Sequence, residues 1–418
     1  MPDIPKLFFC FPYRGVGGVP LLFLRIAEEL SARSKAETYL VDYSDGFMAK
    51  HRKEGLSHFI EYREDIVVRI PNDAVAVFQS MTPWSIFPAL KLSPQTRVLF
   101  WNCHPFNLVP TLPGLRRQMQ NSTTFGNIVL ATVLRSYRNK MLRMVRLILS
   151  SRALVFMDQG NVTTTERYLG IAIPDPVYLP IPAQTPVRFK TTPVRNFQLE
   201  GLRVAWIGRV VDFKYHILKK ALEELNRLQP ELVLRIEVTI VGSGDYVKKL
   251  HNDVLKMNSI GVQFIDNIAP HLLDDFLLDE VDILMAMGTS ALEGAKLGTP
   301  TLLLDVAYGK VPSGYLFQWL HERKGFSLGD VLGTEHITPS NDSLADRLGE
   351  ALVDYMGVSA RAAEHFKNFH ALPTVAEKFI KFARETTCTY GDLAAEKLVE
   401  RGLIYSIFNK LRKGLIRL

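Results

Sequence analysis

Two hydrophobic rhythms alternate along the chain. Short, continuously apolar runs read as strands buried on both faces: Lys6–Phe11, Thr38–Asp42, Ala74–Phe78, Val98–Cys103, Leu154–Met157 and Val177–Leu179. Between them lie stretches with the wider spacing of a helix, the first being Pro20–Ala32, with its proline in the opening turn. This alternation predicts a parallel sheet with helices on both faces, a doubly wound α/β domain. The rhythm lapses at Pro180–Phe197, which is rich in proline and polar residues and reads as a linker between domains.

It then resumes. Leu202–Ile207, Glu237–Val241, Val262–Ile265 and Val281–Met285 read as strands, with helices at His216–Gln229, Tyr246–Lys256 and His271–Leu278. Helices are also expected near Asp342–Met356 and Ala360–Phe369. The predicted organisation is an N-terminal Rossmann-like domain at residues 1–182, a linker at 183–200, and a second Rossmann-like domain at 201–384. An amphipathic segment at 385–418 follows, in which Ala394–Leu418 reads as a helix carrying Arg401, Lys410, Arg412, Lys413 and Arg417.

The stretch Met285–Asp305, MAMGTSALEGAKLGTPTLLLD, holds the densest candidate chemistry. A strand stops at Gly288, a helix opens at Thr289 or Ser290, either of which can cap it, and Gly298-Thr299-Pro300 ends it. A helix N-terminus at a strand's carboxyl end suits phosphate, because its free N–H groups and dipole both favour negative charge. Glu293, one turn inside, suits a sugar or ribose hydroxyl. Arg209 and Lys214, read as lying in the loop after Leu202–Ile207, form a pair able to clamp a diphosphate and stabilise it as a leaving group. His104, at the end of VLFWNC, is a candidate general base or hydrogen-bond donor.

Composition narrows the class. At 418 residues, 47% hydrophobic and 22% charged, the chain is globular and long enough for two cores. Three cysteines without C-x-x-C spacing argue against a disulfide framework or a zinc site, and Asp274-Asp275 reads as a helix start. The opening MPDIPKLFFCFPYRG lacks a signal-peptide pattern, and no apolar run reaches about 18 residues, so a cytoplasmic protein is expected.

The net charge of +7 is unevenly placed. Residues 74–157 contain ten Lys and Arg but no Asp or Glu, which leaves the remainder slightly acidic. Within that window Phe125–Leu149 reads as one amphipathic helix. Arg135, Arg138, Arg143 and Arg146 share one side; Val129, Leu130, Val133, Leu134, Met141, Met144, Val145 and Ile148 share the other. The expected partner is an anionic membrane surface or a lipid-phosphate acceptor, with the protein peripheral on the inner face of the plasma membrane. Nucleic acid is not expected, since the basic stretch lacks interleaved aromatics.

Taken together, Gly17-Gly18, Gly208-Arg209 with Lys214, Val241-Gly242-Ser243-Gly244, and Gly288 with Leu292-Glu293-Gly294-Ala295 and Leu297-Gly298-Thr299-Pro300 resemble the GT-B nucleotide-sugar glycosyltransferases. The closest likeness is to family 4, which includes bacterial envelope polysaccharide enzymes. The resemblance implies two Rossmann-like domains facing a cleft, and a metal-independent hexosyl- or deoxyhexosyltransferase without a cofactor. Its implied substrates are a nucleotide-sugar and a glycan or lipid-linked glycan acceptor.

It further implies that Arg209 and Lys214 hold the diphosphate, Glu293 the ribose, and Gly288, Thr289 and Ser290 a phosphate. Ile265–Ile268 would lie against the base, and Gly17, Gly18, Gly208 and Gly244 would approach the ligands. His104 would lie near the reacting sugar, as the base if configuration is inverted. Met285 stands where the family usually has a Glu contacting the donor sugar, which suggests a different hydroxyl pattern there. Several rivals keep the same residues in view: a non-catalytic scaffold of this fold, a GT-B epimerase or a sugar phosphorylase. A dinucleotide oxidoreductase would use Gly15-x-Gly17 and Asp42, but Pro20 replaces its third glycine.

Overall fold

The computed structural model describes residues 4–15, 17–79, 87–111, 115–190, 197–332 and 342–399. The chain forms two compact units, one running to Pro180 and resuming at Val375, the other spanning Ile181–Thr374.

In the first unit the strands are β1 (Lys6–Cys10), β2 (Glu37–Asp42), β3 (His58–Glu61), β4 (Val68–Ile70), β5 (Ala74–Phe78), β6 (Leu90–Leu92), β7 (Arg97–Asn102) and β8 (Leu154–Phe156). Six of them make a parallel sheet in the order β3-β2-β1-β5-β7-β8, and β4 pairs with β6 apart from it. All five residues of β5 are buried, as expected of an apolar run at the centre of a covered sheet. β3, β4 and β6 lie outside the predicted set because each is short and carries polar residues. Val177–Leu179 forms a single bridge, Tyr178 to Phe156, rather than a strand.

Two helices replace the expected helix Phe125–Leu149: Thr123–Ala131 and Arg135–Ser150. The break falls at Thr132 (φ −109°, ψ −87°), whose hydroxyl donates back to the Ile128 carbonyl. The chain returns to this unit at Val375, ahead of the expected boundary at 385. Phe379 on the helix Leu372–Glu385 packs on Phe9 and Trp101, with ring centroids 5.4 and 5.7 Å away, and the Val98 N–H donates to the Cys388 carbonyl. That aromatic packing draws the C-terminal segment onto this sheet. A short helix, Tyr390–Ala395, follows; the basic residues expected to continue it, Arg401 to Arg417, lie outside the described residues.

The second unit holds β9 (Leu202–Ile207), β10 (Ile236–Val241), β11 (Gly261–Ile265), β12 (Ile283–Ala286), β13 (Thr301–Leu303) and β14 (Gln318–Trp319). Their order is β11-β10-β9-β12-β13-β14, parallel except for β14. Trp206, Tyr215, Phe317 and Trp319 anchor its core. The described part of the expected linker packs on this unit instead of bridging freely. Ala183 exchanges backbone bonds with His370 and Leu372, the Lys190 N–H donates to the Leu297 carbonyl, and the buried Lys190 ammonium donates to the Val281 carbonyl. Among the described residues, no helix is long and apolar enough to cross a membrane.

Candidate functional site

Each sheet has a point where successive strands stop adding to one side and start on the other. In the second unit it lies between β9 and β12, and ligands of doubly wound sheets bind beyond the carboxyl ends at such a point. β9 ends just before Gly208, and β12 ends two residues before Gly288.

The loop after β9 is pressed against the loop after β10. The Gly208 N–H donates to the Val241 carbonyl at 3.0 Å and the Val210 N–H to the Ser243 carbonyl at 2.9 Å. A Cβ on Gly242 would sit 2.1 Å from the Gly208 oxygen, and one on Gly244 2.3 Å from the Val210 oxygen. Both glycines also have positive φ, so no other residue fits this approach.

Arg209 is exposed in that loop. Lys214 is not in the loop: it lies in the first turn of the helix Asp212–Leu228, which starts four residues ahead of the expected His216. Its ammonium lies 5.8 Å from the centroid of the Trp206 ring and 5.9 Å from that of Phe213. Burial, and then the neighbouring Arg209 charge, push its pKa below the ordinary lysine value. Among the described residues neither cation has a carboxylate within ion-pair distance. Two adjacent, unneutralised positive charges are a site for an anion.

On the neighbouring strand end, Gly288 itself is the N-cap of the helix Thr289–Leu297. Thr289 and Ser290 lie inside the first turn and do not cap it, contrary to the expectation; among the described residues no side chain bonds to the helix start. Gly288 (φ 64°, ψ −149°) donates to the Leu328 carbonyl at 2.6 Å, which fixes the turn. Its left-handed backbone requires glycine. The other end closes as expected, on Gly298 with φ 78°.

Glu293 is half-exposed and held from beneath. The Lys296 ammonium lies 2.6 Å from its carboxylate and 2.8 Å from that of Asp274. The i,i+3 spacing of Glu293 and Lys296 was readable in the sequence; the arrival of Asp274 from the preceding helix was not. Sequence reasoning also missed the buried pair Asp305–Arg323 (2.5 Å), which with Asp330 pins the loop carrying Leu328.

Met285 departs from expectation. It is fully buried in β12 beside Trp206 and Leu302, so it belongs to the core. Ile268 is half-buried in the loop after β11, at the sheet edge.

In the first unit, Gly17 is the N-cap of the helix Gly18–Ala32 in extended conformation, and among the described residues nothing lies within 4 Å of a Cβ built on Gly18. Asp42, at the end of β2, is wholly buried; its carboxylate accepts N–H bonds from Tyr13 (2.7 Å), Tyr43 (2.8 Å), Met48 (2.8 Å) and Ala49 (3.4 Å). A carboxylate saturated in this way cannot take a dinucleotide's ribose, which removes the chief residue of the oxidoreductase reading.

His104 follows β7. The Phe106 N–H donates to Nδ1 at 3.0 Å, and Arg116 Nη2 lies 3.0 Å from the same nitrogen. Arg116 Nη2 lies 2.8 Å from Nε2, and burial together with this cation lowers the His104 pKa to about 4. The ring is therefore neutral at physiological pH, and among the described residues no carboxylate orients it as a base.

The arginine face is partly structural. Arg138 donates to the Tyr168 and Leu169 carbonyls at 3.1 and 2.7 Å, and Arg143 lies 3.8 Å from Glu396 of the returning segment. Arg135 and Arg146 are exposed. Val133, expected on the packed side, is 60% exposed, and Phe125 and Ile128 stand out at 38% and 56%.

The protein is similar in structure to a glycosyltransferase from Rickettsia africae ESF-5, at TM-score 0.56 and 12% identity over 92% of this chain and 99% of that one. It is also similar to the lipopolysaccharide outer core galactosyltransferase WaaB in its apo form, at TM-score 0.52 and 10% identity over 91% and 100%. The fold is GT-B. No family model and no curated protein matches the sequence. The GT-B likeness spans both units, and the anion site described above belongs to the second.

Proposed function

We propose that the protein is a glycosyltransferase that moves a hexosyl or deoxyhexosyl group from a nucleotide-sugar to a hydroxyl of a glycan or lipid-linked glycan, in envelope polysaccharide synthesis. One observation carries the reading: the Arg209–Lys214 pair, unneutralised among the described residues, follows β9, while a helix start without a side-chain cap follows β12, its neighbour at the switch point. Arg209, Lys214 and the N–H groups at Gly288–Ser290 hold the donor diphosphate. As the glycosidic bond breaks, the same positive charge stabilises the leaving nucleoside diphosphate, and no metal is needed for that task.

Glu293, braced by Lys296, accepts the ribose hydroxyls, and Ile268 lies against the base. Gly17 and Gly18 leave the first unit's helix start open to the substrates. With a pKa near 4, His104 positions the sugar rather than serving as a general base. That favours a reaction in which the leaving diphosphate takes the acceptor proton. The two neighbouring structures are named for glycosyl transfer, one of them to lipopolysaccharide, which agrees with the reaction class.

Exposed Phe125, Ile128 and Val133, and exposed Arg135 and Arg146 on the following helix, suit a peripheral contact with an anionic membrane, with apolar groups entering the interface and cations meeting the headgroups. The deciding experiment incubates the purified chain with a panel of nucleotide-sugars and measures released nucleoside diphosphate, with and without anionic vesicles. Turnover with at least one donor, abolished in Arg209→Ala/Lys214→Ala, is expected. Neither release nor millimolar binding of any nucleoside diphosphate would overturn the reading.

A further inference from the structure

The first unit contains a cavity of about 300 Å³, at the small end of ligand sites, lined by Arg14, Tyr43, Ser44 and the run Glu61–Asp65. Its walls come from the carboxyl ends of β1, β2 and β3, on the far side of β1 from that sheet's own switch point. Asp42 explains why it exists. By gathering the N–H groups of Tyr13, Tyr43, Met48 and Ala49, this buried carboxylate holds the loop after β1 and the turn after β2 at fixed positions. The turn admits only glycine at its tightest point, since a Cβ on Gly46 would sit 2.1 Å from Asp42 Oδ1.

We infer that this cavity binds one ring of a neutral or amine-bearing saccharide. Three features select that chemistry. Glu61 and Glu64 have no cation within ion-pair distance among the described residues, so their oxygens are open to hydroxyl donors. Arg14, paired with Asp45 at 2.8 Å and stacked 3.8 Å from the Tyr43 centroid, presents a flat, pre-ordered donor surface. Tyr62 closes the floor, edge-on to Tyr43 at 5.6 Å.

Donors and acceptors therefore alternate around a small space, and sugar hydroxyls can serve as both at once. A phosphate or carboxylate ligand would face Glu61 and Glu64; a simple polycation would face Arg14 and Arg63. Neither matches the whole lining.

The test is saturation-transfer NMR on the full chain with methyl gluco-, galacto- and mannopyranosides, glucosamine and glucose 6-phosphate, with UDP and GDP as probes of the second unit. At least one neutral or amine-bearing sugar is expected to bind in the millimolar range, and glucose 6-phosphate less well. In E61Q/E64Q that sugar signal should fall at least tenfold with nucleotide binding unchanged. No sugar signal across the panel, a signal insensitive to the double substitution, or tighter binding of the sugar phosphate would overturn the inference. Sugar binding without any nucleotide binding would keep the saccharide site and sink the transferase reading. Nucleotide binding with no sugar signal would do the reverse.

Discussion

The two units repeat one topology and finish its carboxyl edge in opposite ways. In the first, the loop after the first strand is tied to the end of the second strand by a buried acid, Asp42, whose oxygens are consumed by backbone N–H groups. In the second, the same two strand ends, of β9 and β10, are joined by backbone bonds between glycine loops with no acid between them. The first pair of strand ends is thus tied together by the protein itself. The second is left with two adjacent positive charges that no carboxylate among the described residues neutralises. One scaffold can favour a sugar cavity or a diphosphate site according to whether a carboxylate is spent on closing the loop.

The contrast can be broken at several points. Met285→Glu restores the residue usual in the family but puts a carboxyl into a packed core. It should cost about 5 kcal/mol or prevent folding, as thermal melting would show, with no new donor preference. A stable variant with an altered donor range would return this position to the site. Asp42→Ala removes the acceptor of four N–H groups and should cost about 4 kcal/mol of stability, read by urea unfolding. UDP or GDP affinity, measured on whatever fraction remains folded, should stay the same.

Arg209→Ala/Lys214→Ala should behave in the opposite way. Nucleoside diphosphate binding falls by about 3 kcal/mol, roughly a hundredfold, in calorimetry, while the melting temperature holds or rises because two like charges are gone. Lys296→Met releases Glu293 and Asp274 and should lower affinity for a nucleoside by about 1 kcal/mol, with stability little changed. An unaltered ribose preference would mean that Glu293 does not depend on its brace.

The smallest effect concerns pH. The folded-state pKa of His104, about 4, lies below the ordinary histidine value, so the unfolded chain binds a proton that the folded chain resists. Its contribution to stability is full above the usual value near 6.5 and is lost as pH falls toward 4. Between pH 7.5 and 5.5 wild type should lose about 1 kcal/mol that His104→Gln retains. Activity, by contrast, should show no titration of His104 across that range; an inflection near neutrality that disappears in His104→Gln would make it a base after all.

Much of this was legible locally. β5 and β9 fall on the expected residues because continuously apolar, β-branched runs bounded by turn residues have one comfortable place, the centre of a covered sheet. The helix after Gly288 and its stop at Gly298 were legible for a similar reason, since a left-handed backbone position calls for glycine. Lys214 was placed wrongly because Asp212 and Phe213 start the helix early, and helix starts vary with tertiary contacts. The basic window looked uncompensated because its acids, Glu385 and Glu396, lie far along the chain.

By itself the sequence determined the strand and helix periods, the repeated doubly wound pattern, and the presence of Arg209, Lys214 and Glu293 near strand ends. Those properties depend on neighbours a few residues away, and periodicity records them. Only the tertiary structure decided that Met285 is core and that Asp42 is saturated. It also decided that Lys296 and Asp274 brace Glu293, that Arg138 is structural, and that Glu61 and Glu64 line a cavity. Each depends on which distant groups arrive beside a side chain, and burial and charge pairing act through space, not along the chain.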